Sequence, residues 1–302
     1  LPTTNRKAAD LVLGQPNMAS GTAGTTANTL YSPANLFSDG TRLFVPDYGN
    51  HRILIWNSFP TTNQQPADLV LGQANMTNGT INSSAGATTN RYGVDSVQGV
   101  FYDGTRLFVG DYNNNRVLIW NSLPTTNGQS ADVVLGQTGF TTRTYSATAY
   151  TMSNPVDAYS NRNKLFVPEC YQNRVLIWNS IPTTNGKSAD VVLGQANMTS
   201  WSANRGGTPN ANTVSCPNHV TSDGTRLFIS DQNNNRVLVW NTIPTTNGQS
   251  ADLVFGQPNM TSKTAATTAT GLNVSGMSIA THTDWLWVSD YSNNRIIATR
   301  SL

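Results

Sequence analysis

The chain has 302 residues, and 18 Lys plus Arg against 16 Asp plus Glu leave a formal charge of +2, too near neutral for a nucleic-acid partner. Charged residues are 11% of the chain, well below the ~25% of ordinary globular domains, so the polar surface is built from Thr, Asn, Ser and Gly, as in many secreted proteins. No run of about 18 apolar residues exists to span a membrane; the start at Leu1-Pro2-Thr3 has no signal-peptide pattern, as expected of a mature chain; and two cysteines, Cys170 and Cys216, are too few for a disulfide scaffold.

In chain order, the first apolar phrase is Ala9-Asp10-Leu11-Val12-Leu13-Gly14-Gln15. A stretch from Ser32-Pro33 to Asp39-Gly40 leads to the second, Thr41-Arg42-Leu43-Phe44-Val45-Pro46-Asp47, and the third is Arg52-Ile53-Leu54-Ile55-Trp56-Asn57. The first phrase then returns at 67–73, 131–137, 189–195 and 251–257, with Gln-to-Gln intervals of 58, 64, 58 and 62 residues. The second returns at 105–111, 163–169, 225–231 and 284–290, and the third at 116–121, 174–179 and 236–241, with a degenerate copy at 295–300. Each phrase is short, rich in Val, Ile, Leu, Phe and Trp, and bounded by Gly, Pro, Asn or Asp, which predicts strands; helices need ten or more periodic residues.

A period of about 60 residues with four strands per unit predicts an all-β, five-bladed β-propeller of four-stranded antiparallel blades, because nearly continuous apolar strands need cover on both faces and radial stacking supplies it. The whole of 1–302 reads as one propeller domain, with blades at about 30–76, 94–140, 152–198, 214–260 and 273–302. Leu1 and Leu302 both fall on the repeat position of Phe59, so residues 1–18 are expected to supply the closing strand of the last blade.

The segments Asp47-Tyr48-Gly49-Asn50-His51-Arg52-Ile53, Asp111-Tyr112-Asn113-Asn114-Asn115-Arg116-Val117, Asp231-Gln232-Asn233-Asn234-Asn235-Arg236-Val237 and Asp290-Tyr291-Ser292-Asn293-Asn294-Arg295-Ile296 resemble the Asp-x-x-Asn-His-Arg-Ile core of NHL repeats. Ser32-Pro33 to Asp39 is similar to the strand that precedes that core. The resemblance covers all five units, which are longer than a usual NHL repeat and carry the added Ala-Asp-Leu-Val-Leu-Gly-Gln strand. It implies a propeller, and a family that includes binding platforms as well as a few lyases and hydrolases whose channels hold several histidines and a metal, so it assigns no function by itself.

Recurrent residues read as structural. Asp47, Asp111, Glu169, Asp231 and Asp290 each stand five positions before Arg52, Arg116, Arg174, Arg236 and Arg295 across an Asn-rich turn, the arrangement of a repeated acid–arginine pair. Trp56, Trp120, Trp178 and Trp240 read as packing between blades. Function is expected where the units disagree. Aligned on Asp39-Gly40, the inner strands give a column of Asn35, Gly99, Asp157, His219 and Ser278, preceded by Ala34, Gln98, Val156, Asn218 and Met277. Inner strands line the axis, which makes Asn35, Gln98, Asp157, Asn218, His219 and Ser278 the candidate channel residues. With one histidine in the column a zinc site lacks donors, while Ca²⁺ or another divalent cation would accept Asp157, Asn35 and carbonyl oxygens; no cofactor is otherwise expected. His51 and His282 read as ordinary surface residues.

The connections at 19–30, 77–94, 139–152, 199–214 and 261–273 differ between units and emerge on one face with the Asn-rich turns. Loops on a rigid scaffold are where binding resides, and Tyr145, Tyr150, Trp201 and Arg205 are the candidate rim contacts. Cys170 and Cys216 fall on this same face in adjacent blades, so a disulfide between them is expected, alongside the alternative of two free thiols. No catalytic motif is present. The expectation is a secreted or cell-surface binding or assembly module without chemistry of its own, its partner a protein, a glycan or another copy of itself. The alternatives are a metal-dependent lyase or hydrolase working in the channel, and a structural subunit of an extracellular polymer.

Overall fold

The computed structural model describes residues 8–83, 93–273, 278–282 and 285–300. Its strands form small antiparallel sheets set around a central axis as a five-bladed propeller. The first sheet holds β1 (Phe37–Ser38), β2 (Leu43–Asp47), β3 (Arg52–Trp56) and β4 (Leu69–Leu71) in that order. The second holds β5 (Val97–Tyr102), β6 (Leu107–Asp111), β7 (Arg116–Trp120) and β8 (Val133–Leu135). The third has β9 (Tyr159–Ser160), β10 (Leu165–Glu169), β11 (Arg174–Trp178) and β12 (Val191–Leu193); the fourth has β13 (Pro217–Ser222), β14 (Leu227–Asp231), β15 (Arg236–Trp240) and β16 (Leu253–Phe255). The fifth has three strands among the described residues, β17 (Ile279–His282), β18 (Trp285–Asp290) and β19 (Arg295–Arg300). Met277 of the aligned column and the side chain of His282 lie outside what is described.

The register of each β2-type and β3-type pair puts the acid opposite the arginine, as in Asp47 opposite Arg52 and Asp231 opposite Arg236. The intervening turn is a single 3-10 turn that ends in a left-handed residue, His51, Asn115, Asn235 or Asn294. Asn tolerates that conformation better than other non-glycine residues, which explains the Asn-rich motif.

The core lies between blades. Phe44, Ile53, Ile55, Leu69 and Leu71 of the first blade pack with Val109, Leu118, Trp120 and Val134 of the second, and the pattern recurs around the ring. Trp56, Trp120, Trp178 and Trp240 are each buried and donate the indole N–H to a carbonyl, that of Gln65, Gln129, Lys187 or Gln249. The glycine after each fourth strand has a positive φ, as at Gly194 (+83°), where an added Cβ would meet Val214 at 2.3 Å.

Ring closure falls to the N-terminal segment. Residues 9–15 form no strand, and among the described residues β19 pairs only with β18. The segment docks on the first blade as the fourth strands of the first three blades dock on the next: the Val12 N–H donates to Asn63 and the Gln64 N–H donates to the Val12 carbonyl, as Val70 does with Asn127 and Gly128, and Leu13 packs beside Val45, Leu54 and Trp56. Gln15 bonds only its own loop at Thr22, whereas Gln73, Gln137, Gln195 and Gln257 also donate to the carbonyl of the left-handed turn residue in the neighbouring strand. Residues 9–15 thus hold the fourth-strand place against the first blade, and no strand pairing between them and β19 is found among the described residues.

Candidate functional site

The loop-bearing face is organised by the acid–arginine pairs. Each arginine Nε donates to its carboxylate at 2.6 or 2.7 Å, and both partners are fully buried in the first four blades. The second carboxylate oxygen accepts a backbone N–H at the entry to the inner strand, from Tyr31, Asp95, Ser153, Ser215 or Asn273. The guanidinium then reaches out of the turn to loop carbonyls, among them Met76, Phe140, Met198 and Met260. One buried cation thus ties the turn, the inner strand and the start of the variable loop together. The glutamine after each fourth strand adds a bond further along the loop, Gln73 to Thr80 and Gln195 to Ser202 among them. Rim loops anchored at several points present their side chains in fixed positions, which lowers the ordering cost of binding.

Adjacent blades are latched on the same face. The left-handed turn residue accepts the N–H that opens the next inner strand: His51 from Ser96 (3.1 Å), Asn115 from Asn154 (3.0 Å) and Asn173 from Cys216 (2.9 Å). His51 is therefore a joint between the first and second blades rather than an ordinary surface residue, and its Nδ1 lies 3.3 Å from Asp95. The expected disulfide is present, Cys170 to Cys216, with a Cα–Cα separation of 3.7 Å. It reinforces the latch between the third and fourth blades.

The axial cavity, of about 400 Å³, is lined by residues of all five blades, including Asn35, Gly99, Asp157, His219 and Ser278. The aligned column therefore does face the axis. Gln98 and Asn218, one position earlier in each strand, are not among its lining residues. Asp157 Oδ2 lies 3.4 Å from His219 Nε2, and His219 Nδ1 is buried without a partner. Burial pushes the Asp157 carboxyl above the usual carboxylate range, opposed by His219 and by the Ala158 N–H. An added Cβ on Gly99 would come within 2.6 Å of Asp157, so the glycine leaves room for this pair. Below it, Phe37, Phe101 and Tyr159 stack in sequence at 4.9 and 4.8 Å between ring centres, giving the channel an apolar throat.

A second cavity, of about 630 Å³, opens on the loop-bearing face between the second and third blades, bordered by the loop that leads to the fourth. Tyr145 and Trp201, two of the expected rim residues, both line it. Tyr150 and Arg205 do not: Tyr150 is exposed elsewhere on its loop, and Arg205 points back toward Gly194, its Nη2 buried and unpaired. The cleft also takes in Asn113, Arg143, Tyr171 and Gln172, which repeat spacing alone does not single out. The signal that could have found them is the third-blade turn, Glu169-Cys170-Tyr171-Gln172-Asn173, which puts Gln where the other turns have Asn50, Asn114, Asn234 and Asn293. Those asparagines donate to their turn's aspartate. Gln172 makes no such bond, and its Oε1 is buried without a partner.

The axial pair supplies one carboxylate and one imidazole, and no cluster of three or more His, Cys, Asp or Glu side chains that would hold a metal is found among the described residues. No described helix is long and apolar enough to cross a membrane. No protein-family model and no curated protein matches the chain, so the likeness to NHL repeats rests on motif alone. Among solved structures, the chain is similar to a chain of a nidogen–laminin complex, with 14% identity over 89% of this chain and 76% of that one and a TM-score of 0.48. It is also similar to the computationally designed Ika8 protein, with 9% identity over 89% of this chain and a TM-score of 0.46. The chain spans 58% of that designed protein's length.

Proposed function

We propose that this propeller is a secreted or cell-surface binding module that engages its partner through the loop-bearing face and the channel mouth. One observation carries the reading: Tyr31, Tyr145, Tyr150, Tyr171, Trp201 and Tyr291 are all exposed on that face, on turns and loops that buried arginines and glutamines hold in place. Rigid aromatics on fixed loops are the residues from which binding hot spots are made. The low charge and the Thr- and Asn-rich surface fit an extracellular setting, as does the disulfide.

The test is adhesion of the purified chain to intact cells of its source. A triple variant, Tyr145→Ser, Tyr150→Ser and Trp201→Ser, is expected to lose binding by about tenfold or more, while Phe59→Ser on the opposite face leaves it unchanged. Equal binding by the two variants would contradict the reading.

The Asp157–His219 pair favours one second reading, a lyase or hydrolase acting in the channel. Side-chain donors there are two, short of the three or four that zinc takes, so a cation on the axis would depend on carbonyl oxygens and substrate. Turnover abolished by His219→Ala, in a variant that folds normally, would establish this reading; unchanged turnover would remove it.

A further inference from the structure

We propose that the cleft between the second and third blades binds a neutral, hydroxyl-rich saccharide. This deepens the binding-face reading and rests on it. Three observations converge on the ligand class. The first is aromatic surface: Tyr145 is 74% exposed, and Tyr171 and Trp201 are each 60% exposed, around one opening. Aromatic faces that stay wet in the free protein offer flat apolar area to the C–H faces of sugar rings. Tyr171 is steadied from behind by Tyr112, with ring centres 6.4 Å apart.

The second observation is the polar complement of the cleft, which is amide rather than charge. Asn113 and Asn154 line it beside Gln172, and no carboxylate is among its lining residues. The one lining cation, Arg143, donates its Nε to the Asn113 carbonyl, so it braces the wall. A site without carboxylates, and with its cation engaged in the wall, suits hydroxyl groups better than a phosphate, an acidic sugar or a basic peptide.

The third observation is the buried acceptor. Gln172 is 8% exposed and its Oε1 has no hydrogen-bond partner, a condition that costs about 1–3 kcal/mol when nothing satisfies it. In the other four turns the residue at this place is an Asn that donates to the turn's own aspartate. In the third blade the acid is Glu169, whose two oxygens are taken by Ser153 N–H and Arg174. The longer Gln side chain makes no bond to Glu169, and a ligand hydroxyl is the donor that its carbonyl lacks. The Cys170–Cys216 disulfide immediately before Tyr171 and Gln172 fixes the backbone that carries them. The cavity of about 630 Å³ falls in the range of about 300–1,000 Å³ common for small-ligand sites.

The experiment screens the intact chain on an array of neutral oligosaccharides (β-1,4-glucans, chito-, manno- and xylo-oligosaccharides), with heparin and polygalacturonate as acidic probes. The best neutral binder is then titrated calorimetrically into variants. Trp201→Ala and Tyr145→Ala are each expected to weaken binding by about tenfold, Phe59→Ala on the opposite face to leave it unchanged, and added salt to have little effect. Because Trp201 and Tyr145 are exposed, both variants should keep the native melting temperature. The proposal is overturned if no neutral oligosaccharide binds, if an acidic probe binds more tightly, or if binding survives both cleft substitutions. A chain that binds no oligosaccharide, yet adheres to cells through Tyr145, Tyr150 and Trp201, overturns the saccharide and leaves the binding face standing. Adhesion indifferent to those three residues overturns both.

Discussion

At the scale of single residues, the acid–arginine pairs carry most of the order on the loop-bearing face. Arg236 is fully buried, pairs with Asp231 at 2.7 Å, and bonds the carbonyls of Asn210, Thr213 and Met260. Arg236→Met should cost about 3–5 kcal/mol, because it leaves a buried carboxylate without its counter-charge; urea unfolding measures this, and a loss below about 1 kcal/mol would refute the staple. The pairing was legible in the sequence, since an acid and an arginine held at one spacing in all five units must serve what the units share, which is the blade itself. Gln172 was not, because its significance lies in a bond it fails to make, and spacing says nothing of bonds.

Asp157 makes a pH prediction. Its carboxyl is raised by burial, so the folded chain holds a proton that the unfolded chain has already released. Stability is then fully present below the ordinary carboxylate range, near about pH 4, and declines as pH rises through the raised folded value. Asp157→Asn should remove that decline. Calorimetric melting across pH should show the variant gaining on the native protein as pH rises; a variant that falls progressively behind would mean that the His219 contact outweighs burial.

At the scale of elements, the strands follow from short apolar phrases, and the turn chemistry between them from Asn at left-handed positions such as Asn115 and Asn235. The inner strands were less legible. β1 and β9 are two residues long, and β5 and β13 shift register between Val97 and Val100 and between Pro217 and Val220. Short pairing and shifted register break the period-two alternation by which a strand is read. The disulfide links two such elements, the turn after β10 and the entry to β13. The Cys170→Ser, Cys216→Ser variant should lose about 2–4 kcal/mol, given a separation of 46 residues. It should also loosen the Tyr171–Gln172 turn, seen as faster amide exchange there than in the equivalent second-blade turn. Unchanged exchange would mean that the Asn173–Cys216 backbone latch suffices alone.

At the scale of the whole molecule, the three interfaces among the first four blades are packed alike and the seam between the fifth and first blades is not. Trp287 is 44% exposed where its equivalents Phe44, Phe108, Phe166 and Phe228 are at most 2% exposed. Ile296 is 70% exposed where Ile53, Val117, Val175 and Val237 are fully buried. The repeat count announced five blades correctly, and residues 9–15 meet the first blade as β4, β8 and β12 meet the next one. Leu13 covers the hydrophobic face of Val45, Leu54 and Trp56. Deleting residues 1–18 should therefore uncover the first blade. A lowered melting temperature with new amide exchange in β2 and β3 is expected; exchange appearing only in β19 would show that the segment belongs to the last blade.

The central claim is that partners meet the molecule on the face where the Asn-rich turns and variable loops converge. Hydroxyl-radical footprinting of the chain bound to intact cells of its source tests it most directly, because exposed aromatic side chains report burial one by one. Protection should appear at Tyr145, Tyr171 and Trp201, while Phe59 on the opposite face and Trp285 and Trp287 at the seam stay as reactive as in the free protein. Protection confined to Phe59, or to Trp285 and Trp287, with Trp201 unprotected would contradict the account.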